Sequence, residues 1–397
     1  MDNPLIKAAT RTGLVNEYYF SAKLAEIARM RQEGADVINL GIGSPDMAPL
    51  PEVTAELARS ASLRSNHGYQ GYRGIPELRK AFAAWYGKYF RVTLDPASEI
   101  LPLIGSKEGI MHISMAFIDP GDEVLVPDPG YPAYAAAASL SGGVVRKYDL
   151  TEKTGWFPDI SAIEASGTEK VKIMWINYPH MPTGAKATPE QFAQLVGFAR
   201  RNRILLCNDN PYSFILNSDH LSILSVPGAR ETALELNSLS KSHNMAGWRI
   251  GMLAGHRRYI DDVLRVKSNM DSGMFKPLQE AAALALSAPD EWYARLNEVY
   301  GRRRRHVEEI MDELGCSYNP SQSGLFLWGK IPGRYDNAEE LTEELLHRNH
   351  LFVTPGSVFG DNGSGHIRIS LCAEEETMKK ALLRIRTGTK TEVPTIN

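Results

Sequence analysis

Only three cysteines occur in the 397 residues, Cys207, Cys316 and Cys372, and they are widely spaced and odd in number. That excludes a disulfide framework and offers no zinc-ligand spacing, so a reducing, cytoplasmic setting is expected. No long apolar run is present either. The longest small-apolar stretch, near Ala281 to Ala288, is far too short to span a bilayer. Asp2-Asn3-Pro4 follow Met1 where a basic and then apolar leader would stand, so no secretory signal is expected. Neither sign of charge dominates: 44 Lys and Arg face 47 Asp and Glu, for a formal net charge of -3. Nothing in that balance draws the chain toward nucleic acid or an anionic membrane. The one dense basic run, Arg302-Arg303-Arg304-Arg305, lies in a helical pattern beside Glu298, Glu308 and Glu309 and reads as a solvated helix face. His112, His243 and His306 lack metal-ligand spacing. Gly41-Ile42-Gly43 lacks the third glycine of a dinucleotide fingerprint, and Pro45 follows it. There is no internal repeat and no low-complexity segment.

What is present describes a soluble globular protein, with 43% hydrophobic and 23% charged residues. The length exceeds what one hydrophobic core serves, so two domains are expected. From about Pro51 helix and strand patterns alternate. Residues 76–90 read as an amphipathic helix, Ile100 to Ile104 as a strand, Glu108 to Phe117 as a helix and Glu123 to Val126 as a strand. Further strands are expected at Val171 to Ile176, Arg203 to Cys207, Thr232 to Leu239 and Ile250 to Ala254. Near-continuous apolar runs of this length suit strands buried on both faces, hence an α/β fold with a mostly parallel sheet flanked by helices. After Ser287 the pattern changes to a long charged helix, Asp290 to Leu314, followed by strand, helix, strand, strand and helix, a smaller α+β domain. The expected division is 46–287 for the large domain, and 1–45 with 288–397 for the small one and its N-terminal arm.

The richest stretch is Ser238-Leu239-Ser240-Lys241-Ser242-His243-Asn244-Met245-Ala246-Gly247-Trp248-Arg249-Ile250-Gly251. Lysine forms a reversible imine with an aldehyde when it is partly deprotonated, and the nearby cation Arg249 helps lower its pKa. With Ser238 and Arg249 as phosphate anchors, Lys241 points to pyridoxal phosphate; the alternative is a surface lysine in a loop ion pair. Gly105-Ser106-Lys107-Glu108-Gly109 lies between strand and helix, where backbone N–H groups and the helix dipole favour an anion. The alternative there is a plain turn with a serine cap. Asp209 and Tyr212 follow a strand at its carboxyl end, where open α/β sheets bind ligands. A carboxylate at Asp209 would keep a pyridine nitrogen protonated, and a phenol at Tyr212 would donate to a ring oxygen. An Asp-Asn-Pro turn that merely caps backbone is the competing reading. Arg368, in the alternating strand Gly365 to Ser370, carries the fork that fits a carboxylate, though a lone strand arginine is more often a member of an exposed ion pair. Cys207 reads as core.

Together these residues resemble the class I/II aminotransferases of PLP fold type I, the aspartate aminotransferase superfamily. The likeness runs from about Asn39 to Ser370 in the family's order, through Ser-x-x-Lys…Arg with Gly-Trp-Arg-Ile-Gly, and through Tyr69-Gln70-Gly71-Tyr72-Arg73-Gly74-Ile75-Pro76-Glu77-Leu78-Arg79. The resemblance implies that Lys241 bonds pyridoxal 5′-phosphate and then shuttles the substrate proton. Gly105, Ser106, Lys107 (through its backbone), Ser238 and Arg249 would hold the phosphate. Tyr69 would reach the phosphate in the neighbouring subunit, which implies a homodimer with shared sites. Tyr131, in Asp128-Pro129-Gly130-Tyr131-Pro132, would stack on the ring, Asp209 and Tyr212 would take its nitrogen and oxygen, and Gly43 and Arg368 would hold the substrate α-carboxylate. No nucleic acid or membrane partner is implied.

One cofactor-contacting position departs from the family's Asn-Pro-Thr-Gly: this chain has Met181-Pro182-Thr183-Gly184. Methionine offers no N–H donor, so either the ring oxygen leans on Tyr212 alone or His180, Asn177 or a water replaces the donor. The leading functional expectation is transfer of an amino group between an L-amino acid and a 2-oxo acid by a ping-pong route. A lyase on the same fold, of the carbon–sulfur or cyclopropane-forming kind, shares the same residues. A non-catalytic, cofactor-binding regulator would need a DNA-binding module for which the N-terminal segment leaves little room. Side-chain recognition is expected from loops and the arm around Asn16 to Phe20, with aspartate, alanine, aromatic and diaminopimelate-type substrates all open.

Overall fold

The computed structural model describes residues 5–15 and 17–388; Asn16, part of the expected recognition arm, lies outside them. Among these residues thirteen strands run in chain order: β1 (Ile38–Asn39), β2 (Ile100–Leu103), β3 (Glu123–Asp128), β4 (Val144–Asp149), β5 (Val171–Ile176), β6 (Leu205–Asp209), β7 (Ala233–Ser238), β8 (Gly251–Gly255), β9 (Ser317–Tyr318), β10 (Phe326–Lys330), β11 (Leu351–Phe352), β12 (Thr354–Pro355) and β13 (His366–Ser370). Seven form one sheet in the order β2-β8-β7-β6-β5-β3-β4. Its β3, β4, β5, β6 and β7 are parallel, whereas β8 runs against both β7 and β2. The apolar strands β5, β6 and β7 are buried along nearly their whole length, as strands covered by helices on both faces must be. The edge strand β4, Val-Val-Arg-Lys-Tyr-Asp, has no such run, and its polar, half-exposed pattern hid it from a reading by hydrophobicity.

A second, antiparallel sheet has the order β12-β13-β10-β9. It packs with the helices Asp290–Leu314, Ala338–Asn349 and Glu375–Thr387 around a separate core that includes Leu327, Trp328, Leu345 and Ile369. Phe20 and Ile27, from the helix Tyr19–Gln32, belong to that core, and β1 pairs with β11. The N-terminal segment is thereby built into the second layer. The long helix Asp290–Leu314 ends on Gly315, whose φ of +74° continues the chain at no steric cost. Its arginine run is only in part the solvated face the sequence suggests, with Arg302 and Arg305 exposed. Arg303 is buried and grips Asp46 with two bonds of 2.6 and 2.7 Å, while Arg302 and Arg304 pair with Glu375 and Glu308. Charge counting reports the exposed neighbours of a helical residue but not the partner that chain folding brings to it.

Candidate active site

The carboxyl ends of β5, β6 and β7 open onto a pocket of about 620 Å³. Gly43, Ser106, Lys107, Tyr131, Met181, Asp209, Tyr212, Ser238, Lys241, Arg249 and Arg368 all line it. Gly105 stands just behind, where a side chain would collide with the Arg249 guanidinium; its φ of +78° also favours glycine. Tyr69 is the exception: it lies outside this pocket and is 92% exposed.

At one end, the helix Ser106–Phe117 begins directly at the pocket, two residues earlier than its apolar pattern suggests. Gly105 is its N-cap, and the Ser106 hydroxyl caps nothing: it is buried without a partner. Unspent backbone donors of the first turn, Ser106, Ser238, Ser240 and Arg249 thus converge.

Lys241 sits in the short helix Leu239–Ser242 that follows β7. Its Nζ donates to the Gly43 carbonyl at 2.6 Å and forms no ion pair among the described residues. Burial is the main force lowering its pKa, with Arg368 and then Arg249 adding to it and Cys372 opposing. Desolvation thus does more of this work than the nearby Arg249 that the sequence points to.

Asp209 ends β6 and is 5% exposed. Tyr134 donates its hydroxyl to Oδ2 at 3.1 Å, and Oδ1 has no partner. The carboxylate caps no backbone, so the turn-only reading fails. Burial pushes its pKa up to about 7, Tyr134 pulls the other way and Glu235 adds to the rise. Burial also raises the Tyr212 hydroxyl, which Arg368 partly offsets.

Arg368 lies at the centre of β13, 4% exposed. Nη2 donates to the Gly41 carbonyl at 2.8 Å, Nη1 faces the Met181 thioether at 3.2 Å, and Nε is unpartnered. The rings of Phe326 and Phe359 lie 3.8 and 4.5 Å from the guanidinium carbon. Among the described residues no carboxylate pairs with it, and it is buried, which removes the exposed ion-pair reading. Of the possible substitutes for the missing asparagine, Asn177 lines the pocket; one of its two amide N–H groups goes to the Asp209 carbonyl and its oxygen accepts from the Met181 N–H. His180 faces away, with Nδ1 on Thr183 at 2.8 Å.

Sequence reasoning missed several wall residues. Leu24, Ile42, Phe326 and Phe359 come from segments far apart in the chain, and no local signal marked them, whereas Tyr18 and Phe20 belong to the arm expected to contribute to recognition. Tyr134 had a signal, lying one helical turn beyond Tyr131.

The sequence pattern of the class I and II aminotransferases matches residues 35–385. The chain belongs to that family. An LL-diaminopimelate aminotransferase from Dehalococcoides mccartyi is 40% identical over 96% of this aminotransferase and 98% of its own length. Among solved structures, substrate-bound BacF from Bacillus subtilis aligns with a TM-score of 0.93 at 31% identity, over 96% of this chain and 98% of its own. A Thermus thermophilus aspartate aminotransferase variant aligns with a TM-score of 0.89 at 27% identity, over 96% and 99%. With such relatives over nearly the whole chain, amino-group transfer is the activity, and the lyase alternative is set aside.

Proposed function

We propose that this aminotransferase works with pyridoxal 5′-phosphate bound in the pocket, passing an amino group from an L-amino acid to a 2-oxo acid. The carrying observation is the set of buried polar atoms left without partners around Lys241: Ser106 Oγ, Asp209 Oδ1 and Arg368 Nε. Native folds rarely leave such atoms unmatched, so a ligand carrying a phosphate, a basic ring nitrogen and an α-carboxylate accounts for all three. When bound, the cofactor serves as the electron sink for the reacting carbon. Lys241 holds and moves the proton, Tyr131 covers the ring and Tyr212 donates to its oxygen. Gly105, Ser106, the Lys107 backbone, Ser238 and Arg249 anchor the phosphate. Gly43 and Arg368 take the substrate carboxylate.

LL-diaminopimelate, named for the relatives, is the first substrate to assay, with aspartate, alanine and aromatic amino acids beside it. The chain divides into 46–287 and 1–45 with 288–397. It works as a homodimer, which is supported by the exposed Tyr69 and by the other large apolar side chains left exposed at Leu63, Tyr72, Met270 and Phe275. Among the described residues no helix is long and apolar enough to cross a membrane, and a cytoplasmic location fits the cysteine usage. Borohydride reduction of the reconstituted protein, followed by peptide mass analysis, tests the assignment. The cofactor's mass on the Lys241 peptide is expected; labelling elsewhere, or none, overturns it.

A further inference from the structure

Behind the sheet end that carries Asp209 lies a second carboxylate for which the chemistry above has no use. Glu235 is in β7 and fully buried. Oε1 accepts from the Tyr86 hydroxyl at 2.9 Å, and Oε2 accepts from the Asn208 amide and the Ile223 N–H, both at 2.9 Å. The Ser222 hydroxyl adds another donor. Burial raises the pKa of Glu235, but a cage made of donors favours the charged form.

Asn208 pairs with Glu235 and Asp209 with Leu236 across the β6–β7 ladder. Side chains alternate along a strand, so Glu235 shares a face with Asn208 and lies across the sheet from Asp209. The two carboxylates have no common hydrogen-bond donor, and among the described residues neither forms an ion pair. Their charges interact through dry protein, where screening is weak. On the pocket side Asp209 meets Tyr134 as a donor, with Tyr131 and Tyr212 close by; Lys241, Lys107, Arg249 and Arg368 are the cations lining the same space. Glu235 is the carboxylate that acts on it from behind.

We infer that Glu235 is a positioning residue whose fixed negative charge holds a proton at the Asp209 end of the pocket, between Oδ1 and a basic ring nitrogen. The inference rests on the reading of Asp209 proposed above. Carbon-13 NMR of labelled aspartate in the cofactor-free protein measures the Asp209 titration directly. Glu235→Gln should lower its midpoint by roughly one pH unit, as expected from removing a nearby like charge. Tyr86→Phe disturbs the same cage but keeps the charge, and should leave the midpoint in place. Ser222→Ala likewise strips one donor and keeps the charge, and should also leave the midpoint in place. In the loaded enzyme, Glu235→Gln should lower kcat about tenfold with KM unchanged, one unit of proton affinity being about tenfold in equilibrium. An unmoved midpoint in Glu235→Gln overturns the inference, as does an equal fall in Tyr86→Phe. If Glu235→Gln does not fold, Glu235→Met, which also removes the charge, takes its place, and an unmoved midpoint there overturns the inference. Full activity in Asp209→Asn would instead remove the reading of Asp209 and leave the titration result standing.

Discussion

Asp209 and Arg368 are buried to the same degree, carry opposite charges and both lack an ion-pair partner among the described residues, yet their surroundings treat them differently. Asp209, on the seven-stranded sheet, has one hydroxyl donor and a carboxylate behind it; burial first and that carboxylate second raise its pKa to about 7 against the pull of the donor. Arg368, on the four-stranded sheet, is enclosed by aromatic faces that stabilise a cation without neutralising it. Burial brings its pKa down to about 10, which still leaves it charged near neutral pH. Arg368 thus stays a cation throughout the neutral range, whereas Asp209 can hold or release a proton there. Unpaired charge is costly to bury, and the two surroundings meet that cost in different ways, one by raising a pKa and one by aromatic faces.

The sharpest way to break the comparison is to neutralise one member. Asp209→Asn should lower kcat on the order of 10³-fold, the scale of removing a preorganised electrostatic partner of the reacting group. Steady-state kinetics at saturating cofactor decides it, and a drop below tenfold would sink the assigned role.

A large effect of opposite sign is expected on the stability of the cofactor-free protein. The folded pKa of Asp209, about 7, lies above its ordinary 3.8. Its contribution to stability is therefore fully present below about pH 4 and is lost as pH rises through 7. Asp209→Asn should be more stable than wild type by roughly 3 kcal/mol at pH 8 and indistinguishable near pH 4. Urea titrations at the two pH values check this; equal midpoints at pH 8 refute it. Removal of Arg368's fork is a smaller perturbation. Arg368→Lys keeps the charge and loses the paired geometry, and should raise KM for the amino acid about 30-fold, near 2 kcal/mol, with little change in kcat. An unchanged KM would assign the carboxylate to another group.

How much of this was legible depended on whether the signal was local. Lys241, Ser238 and Arg249 stand in one stretch, and Ser106 and Asp209 each follow an apolar strand, so pattern and turn chemistry exposed them. The apolar strands β5, β6 and β7 were plain for the same reason, while the polar edge strand β4 was not. Arg303 against Asp46, Tyr134 against Asp209, and the ring wall of Phe326 and Phe359 arise from pairings between distant segments. No spacing rule encodes those pairings, because tertiary packing alone decides which side chains meet. Glu235 was hidden in another way: a single acidic residue in an apolar strand looks like an interruption until its four donors are seen.

The smallest effect concerns residue 181, and it bears on both charges at once. The segment from Asn177 to Met181 touches each of them: Asn177 holds the Asp209 carbonyl, and the Met181 sulfur lies 3.2 Å from Arg368 Nη1. A thioether is a weak acceptor and no N–H donor, so Arg368 keeps most of its hydrogen-bonding capacity for a ligand, and the pocket lacks the amide of the family's asparagine. Met181→Asn should supply both an acceptor to the guanidinium and a donor to the cofactor's ring oxygen. A donor to that oxygen favours its ionised form. The pH at which the bound cofactor's visible absorbance changes should then fall, by less than about one unit for a single hydrogen bond. The new acceptor should compete with the substrate carboxylate and raise KM slightly. An unchanged or higher absorbance midpoint would show that Tyr212 alone already satisfies the oxygen. An unchanged KM beside a lowered midpoint would show that the substitution acts on the cofactor end and leaves Arg368 as it was.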